Sequence, residues 1–196
     1  MKSLSLSQPH LLITVGIPGS GKSFFAEKFA ATFSAPYVKY DSIMKVTGQN
    51  IAASDILAGY MLRELFKTGH TIVFDGHTGT RAERTALKDL ATASGYATLF
   101  IWVQTDEATA KLRFLKSGKA KGSRAAGRHY DTLLSTFSPP NPKEHPAVVI
   151  SGKHTYATQV KAVLKNLTLT KQIARTSKPV HDHSQPMSPK RNIFIR

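Results

Sequence analysis

Eight consecutive residues, Gly16-Ile17-Pro18-Gly19-Ser20-Gly21-Lys22-Ser23, carry the densest chemistry in the chain. They fit the pattern G-x-x-x-x-G-K-[ST] in full. Glycines in this pattern let successive backbone N–H groups converge on phosphate oxygens, and the N-terminus of the following helix adds partial positive charge. Lys22 would reach the β- and γ-phosphates of ATP, and the Ser23 hydroxyl would sit on Mg2+. The expected nucleotide contacts are Gly16, Pro18, Gly19, Ser20, Gly21, Lys22, Ser23 and Phe24.

Two carboxylates lie where strands are expected to end. Asp75 closes Thr71-Ile-Val-Phe-Asp75. At the C-terminal end of a parallel strand beside the phosphate loop it would hold the Mg2+, with capping of the turn Gly76-His77-Thr78 as the plainer reading. Asp41 closes Tyr37-Val-Lys-Tyr-Asp41 and could take the proton from an acceptor hydroxyl. It could equally cap a short helix through Ser42-Ile43-Met44, and the two roles are compatible.

The arginines offer fixed bidentate donors to phosphate oxygens. Arg113, Arg124 and Arg128 fall in the basic stretch 111–129, where a flap with Gly118, Gly122 and Gly127 could close over the nucleotide; a solvated helix end plus loop is the alternative. Arg81 and Arg84 project from the helix after Asp75. They are expected either to line an acceptor phosphate site or to be ordinary exposed helix residues. His77 reads as a hydrogen-bonded turn residue, and His181 and His183 as polar residues of the C-terminal stretch.

The elements that must position these groups alternate. Strands are expected over Leu11–Val15, Tyr37–Tyr40, Thr71–Phe74, Tyr96–Val103 and Ala147–Ile150. Helices are expected over Ser23–Phe33, Ser54–Thr68, from Thr80 to Gly95, Glu107–Lys116, Tyr130–Phe137 and Thr155–Leu167. Ser54 is the expected cap of the second helix, with a Leu57, Met61, Leu65 stripe inward and Gly69 as its stop. Thr80-Arg-Ala-Glu83 has capping-box spacing. Such alternation implies a parallel sheet with helices on both faces, because parallel neighbours need crossover connections.

With these residues the chain resembles the P-loop kinases typified by 5′-hydroxyl polynucleotide kinases, zeta-toxin-like kinases and related small ATP-binding proteins of the AAA family. The resemblance runs from about Leu11 to Leu167. It matches the loop, Asp41, Asp75 with Thr78 and Arg84, the basic stretch and Phe137-Ser-Pro-Pro140. It departs at Met44-Lys45 and at His77-Thr78, both on the acceptor side. The resemblance implies an α/β, three-layer P-loop NTPase fold with a five-stranded parallel sheet and a short basic lid. It further implies transfer of the γ-phosphoryl of ATP to a hydroxyl acceptor. A nucleic-acid-binding ATPase, or a nucleotide-gated module that phosphorylates nothing, is the second reading.

Composition limits the remaining classes. The chain has 196 residues, 41% of them hydrophobic, and no cysteine. It therefore has no disulfide scaffold, thiolate zinc site or cysteine nucleophile. No apolar run reaches the roughly 18 residues of a membrane span, and no signal peptide is evident, so a cytoplasmic monomer is expected. Net charge is +15, of which +7 lies in 111–129 and +5 in 171–196. Charge so concentrated predicts an anionic partner at those segments; an anionic hydroxyl acceptor and nucleic acid both fit. The expected organisation is a kinase-like domain over 1–167 and a basic, unstructured tail over 168–196.

Overall fold

The computed structural model describes residues 8–117, 124–141, 144 and 147–176, with the side chains of 124 and 168–176 outside the description. Five strands form one all-parallel sheet: β1 (His10–Val15), β2 (Tyr37–Lys39), β3 (Ile72–Asp75), β4 (Ala97–Gln104) and β5 (Ala147–Ser151). Their order is β2-β3-β1-β4-β5. The order turns back at β1, so the loop leaving β1 opens into the crevice beyond the strand ends, where ligands of open α/β sheets bind.

All six residues of β1 are buried, as a central parallel strand requires. Alternate residues face opposite layers. Leu11, Ile13 and Val15 pack with Val38, Phe74 and Phe100 under α2 (Tyr40–Val46), α3 (Ile51–Phe66) and α4 (Arg81–Ala93). On the other face Leu12, Val73, Leu99 and Ile101 pack with Phe25 and Phe29 of α1 (Lys22–Phe33) and with Val163 of α7 (Tyr156–Thr176). The outcome is the three-layer α/β fold expected from the alternation. Among the described residues, no helix is long and apolar enough to cross a membrane.

Several local expectations change. Helix α3 starts one turn early, because the Asn50 side chain accepts from the Ala53 N–H at 3.0 Å and supplies the cap. Ser54 is instead buried inside the helix, and its hydroxyl donates back to the Asn50 carbonyl at 2.7 Å. The inward stripe is Ser54, Ala58, Leu62 and Phe66, shifted by one residue from the apolar series, while Met61 is exposed. Two neighbouring i, i+4 series competed here, and the contact with Tyr40 and Ile43 selected the one with smaller residues near α2. Helix α7 continues to Thr176, nine residues past the expected end at Leu167. The segment 177–196, with His181 and His183, lies outside the described residues.

The described parts of the basic stretch are helical apart from the turn residue Ser117. α5 (Glu107–Lys116) forms as expected, but α6 (Arg124–Thr136) begins six residues before Tyr130 and takes Gly127 into its interior. The two helices pair through Phe114 and Tyr130, whose ring centroids lie 5.4 Å apart. Tyr130 is fully buried. An aromatic pair of this kind contributes about 0.5–1.5 kcal/mol beyond its buried area. The neighbouring Lys111–Asp131 ion pair is solvent-exposed, worth about 0–1 kcal/mol. The aromatic contact therefore holds the pair together. Residues 118–123, with Gly118 and Gly122, lie outside the described residues.

His10 opens β1 in a buried position, with Nδ1 2.8 Å from the Gln8 carbonyl and no partner for Nε2. Burial holds its pKa below the usual 6.5. A protonated imidazole here would be an unsolvated cation, so the unfolded chain binds this proton more readily. Stability is full above about pH 6.5 and falls as pH drops from there through the lower folded value. His10→Leu should flatten that part of a melting-temperature profile measured between pH 5 and 7.5, and an unchanged profile would remove His10 as its source.

Candidate active site

The loop Gly16–Gly21 links β1 to α1 and is pinned from behind by two elements distant in sequence. At Gly19, with φ +78°, a Cβ would collide with the Ala110 carbonyl, so only glycine lets α5 pack against the loop. Gly152, after β5, lies against the Ser20 carbonyl, which a side chain at 152 would strike. The Thr105 hydroxyl donates to the same carbonyl at 3.0 Å. Loop shape is thus fixed by tertiary contact before any ligand arrives.

α1 starts at Lys22 with Gly21 as its cap, no side-chain cap and no acidic residue in its first turn. Its first N–H groups thus keep their positive end for an anion. The Lys22 ammonium donates to the carbonyls of Gly16 and Ile17 at 2.7 and 2.9 Å, which holds it across the loop. This donor set, backbone N–H groups plus one ammonium, suits a polyphosphate. Phe24 is half exposed on the first turn of α1, with the Lys28 ammonium 4.5 Å from its ring centroid.

Asp75 ends β3, the strand directly beside β1, in register with Thr14. It is 3% exposed, and alternation turns it to the α1 face, the face of Ser23. Its Oδ1 accepts from the Thr14 hydroxyl at 2.8 Å and its Oδ2 from the Tyr37 hydroxyl at 3.1 Å. Burial, then the Asp75 charge, pushes the Tyr37 phenol well above its usual pKa of 10, so it stays a donor. Two hydroxyls thus orient a carboxylate that still has lone pairs free for a cation or its water. With the Ser23 hydroxyl this set fits Mg2+, a hard ion taking oxygen ligands.

Asp41 lies in the first turn of α2, with Lys39 as the cap residue, so it is neither strand end nor cap. The strand stops at Lys39 because Tyr40 turns inward to the core. Its charge adds to burial and to the hydrogen-bonded Asp75 in raising the pKa of the Tyr37 hydroxyl.

The arginines separate into different roles. Arg113 on α5 donates to the Gly152 carbonyl at 3.1 Å, which places it beside the phosphate loop. Arg128 is exposed on α6, and the side chain of Arg124 lies outside the described residues. Arg81 is exposed at the start of α4. Arg84 departs from both expectations, being 0% exposed. Its Nε and Nη2 donate to the two Glu144 oxygens at 2.7 and 3.0 Å, and Nη1 to the carbonyls of Thr78 and Ser138 at 3.1 and 2.9 Å. A guanidinium so enclosed cannot reach an acceptor; it clamps the β3–α4 loop to the segment after α6.

Sequence reasoning missed Thr14, Tyr37 and Glu144. Thr14 had a signal, as the one polar residue in Leu11-Leu-Ile-Thr14-Val. Glu144 had none, since its partner is 60 residues away.

The parallel sheet, the loop after its central strand and the oriented carboxylate on the neighbouring strand define a P-loop protein with the fold of P-loop kinases. Residues 11–140 match the family model described as AAA domain, and the chain belongs to that family. Solved structures with the same fold include a gluconokinase from Sinorhizobium meliloti 1021, 20% identical over 87% of this chain and 98% of that one, with a TM-score of 0.62. A sugar kinase from Janibacter sp. HTCC2649 is 16% identical over 85% of this chain and 98% of that one, with a TM-score of 0.59. Kti12 from Chaetomium thermophilum, in complex with ADP-AlF3, is 17% identical over 79% of this chain and 96% of that one, also with a TM-score of 0.59. The comparison with curated proteins gives no match.

Proposed function

We propose that the protein is an ATP-dependent phosphotransferase acting on a hydroxyl acceptor. The observation that carries this reading is the convergence on the α1 face of the Lys22 ammonium, the uncapped start of α1 and the hydroxyl-oriented Asp75. Gly16, Pro18, Gly19, Ser20, Gly21 and Ser23 cradle the phosphates, and Phe24 borders them. Ser23 and Asp75 hold Mg2+, which when bound neutralises phosphate charge. Arg113 lies where it can close over the nucleotide, with Arg124 and Arg128 on the next helix.

In the transfer, the acceptor oxygen bonds to the γ-phosphorus as the bond to the β,γ-bridging oxygen breaks and ADP leaves. The hydroxyl proton passes to the Asp41 carboxylate. Positioning and electrostatics supply most of the rate in such reactions. Asp41→Asn is expected to slow transfer about 10²-fold, the lower range for a lost general base, while ATP affinity stays unchanged. Pre-steady-state transfer and nucleotide titration measure the two separately. A parental transfer rate would reduce Asp41 to a helix residue whose charge favours the N-terminus of α2.

The reading is tested by incubating the protein with γ-labelled ATP and separate hydroxyl acceptors. Label found in an acceptor supports it. The second reading, a nucleic-acid-binding ATPase, draws on the +7 net charge of 111–129. It would show as ATP-dependent retention on an oligonucleotide with label released only as inorganic phosphate.

A further inference from the structure

A cleft of about 680 Å³ runs between α3 and α4, and its charge is opposite to that of the chain. Ala58, Leu62, Phe74 and Ala86 supply apolar lining. Asp55 from α3 and Glu83 and Asp89 from α4 bring carboxylates to it, against a single guanidinium, Arg63. Helical spacing separates the charges of α4: Glu83 and Asp89 share the cleft face with Ala82, Ala86 and Ala93, whereas Arg81, Arg84 and Lys88 lie round the helix. Arg84 is buried on Glu144, and the charge of Arg81 also acts on Glu144. Arg113 of α5 donates to the carbonyl of Gly152, beside the phosphate loop, and is not part of the cleft lining.

The cleft lining includes His77, two residues after Asp75, and Tyr40, the residue before Asp41. Asp75 faces α1; two residues later His77, with φ +49°, lines the cleft on the opposite face. Its Nε2 is 3.4 Å from Glu83 Oε1 and 3.7 Å from Asp55 Oδ1, and its ring lies 4.5 Å from that of Tyr40. The Tyr40 hydroxyl donates to Asp55 Oδ1 at 2.6 Å. Tyr40 precedes Asp41 in the chain. An aromatic wall, an apolar floor and three carboxylates suit a compact ligand bearing both hydroxyls and ammonium groups. They oppose an anion.

We infer that this cleft receives the acceptor, and that the acceptor is an amine-bearing polyhydroxyl compound, cationic at neutral pH. The inference rests on the phosphotransfer reading and specifies its acceptor. It replaces the anionic acceptor expected from net charge, because the cleft itself presents three carboxylates against one guanidinium. One hydroxyl oxygen takes the γ-phosphoryl with loss of its proton to Asp41, and the ammonium groups remain paired with Asp55, Glu83 and Asp89.

The experiment measures label transfer from γ-labelled ATP to kanamycin and glucosamine, to neutral N-acetylglucosamine, and to gluconate and a 5′-hydroxyl dodecanucleotide. Asp55→Asn and Asp89→Asn are compared with Glu64→Gln, which removes a carboxylate from the outer side of α3. The expected result is transfer to at least one amine-bearing compound, with KM for it raised about tenfold or more by Asp55→Asn and Asp89→Asn. Glu64→Gln should leave that KM, and all three variants the KM for ATP, unchanged. Transfer to gluconate, N-acetylglucosamine or the oligonucleotide in preference to both amines would overturn the inference and leave phosphotransfer standing. Transfer to an amine with a KM indifferent to Asp55→Asn and Asp89→Asn would also overturn it. No label in any acceptor would overturn the inference, and ATP hydrolysis continuing in that case would assign the protein to the ATPase reading instead.

Discussion

Lys22→Ala is expected to lower phosphoryl transfer and ATP hydrolysis by about 10²–10³-fold or more, the usual cost of one lost charge-stabilising donor in a transfer reaction. The ammonium is held across the loop by the Gly16 and Ile17 carbonyls at 2.7 and 2.9 Å, and in the proposed transfer its charge would offset the negative charge that grows on the γ-phosphoryl. The fold should survive. The carbonyls of Gly16 and Ile17 belong to a half-open loop, and the packing of α1 comes from Phe25, Ala26, Phe29 and Ala30, which the substitution leaves in place. Turnover at saturating ATP, measured beside the melting temperature, checks both halves. Parental turnover would remove the phosphotransfer reading. A collapsed melting temperature would instead give Lys22 a structural role in the loop.

Arg84→Met is expected to cause the largest loss of stability, about 3–5 kcal/mol, because it leaves the Glu144 carboxylate buried without its cation. At about 2–4 °C per kcal/mol for a chain of this size, the melting temperature should fall by roughly 6–20 °C. The double variant Arg84→Met, Glu144→Leu should recover much of this, since it removes both charges and keeps the volume. Acid titration separates the electrostatic part. Hydrogen bonding to Arg84 first, and its charge second, holds the Glu144 carboxyl below its usual 4.5. The parental protein therefore keeps this stability above about pH 4.5 and loses it as pH falls through the lower folded value. In Arg84→Met, burial without a cation raises that pKa, and this part of the acid loss disappears. If Arg84→Met instead kept its melting temperature and raised only the KM of the acceptor, Arg84 would be an acceptor ligand.

The sequence determined the features that depend on neighbours along the chain. The loop Gly16–Ser23 is legible because phosphate binding by backbone N–H groups needs consecutive residues in one conformation. The capping box forms as its spacing requires, with Glu83 N–H on the Thr80 hydroxyl and Thr80 N–H on Glu83. The inner strands β1 and β3 are legible because burial on both faces demands short apolar runs, and the alternation of strands with helices forces a parallel sheet. Asp75 was placed by the same logic, as the first charge after such a run.

The tertiary structure decided what depends on partners far along the chain. Ser54 and Asn50 each satisfy the composition of a helix cap, and packing of α3 on Tyr40 and Ile43 chose Asn50. Residues 124–129 look like a basic loop until Tyr130 packs on Phe114 and carries the helix back to Arg124. Arg84 and Arg81 are three residues apart and alike in type. Only the arrival of Glu144, 60 residues later, buries one and leaves the other exposed. Charge follows the same rule. A sum over the sequence gives +15, but helix phase sends the carboxylates of α4 to one side and its cations to the other. The sign of the charge lining the α3–α4 cleft is therefore a property of the fold, not of the composition.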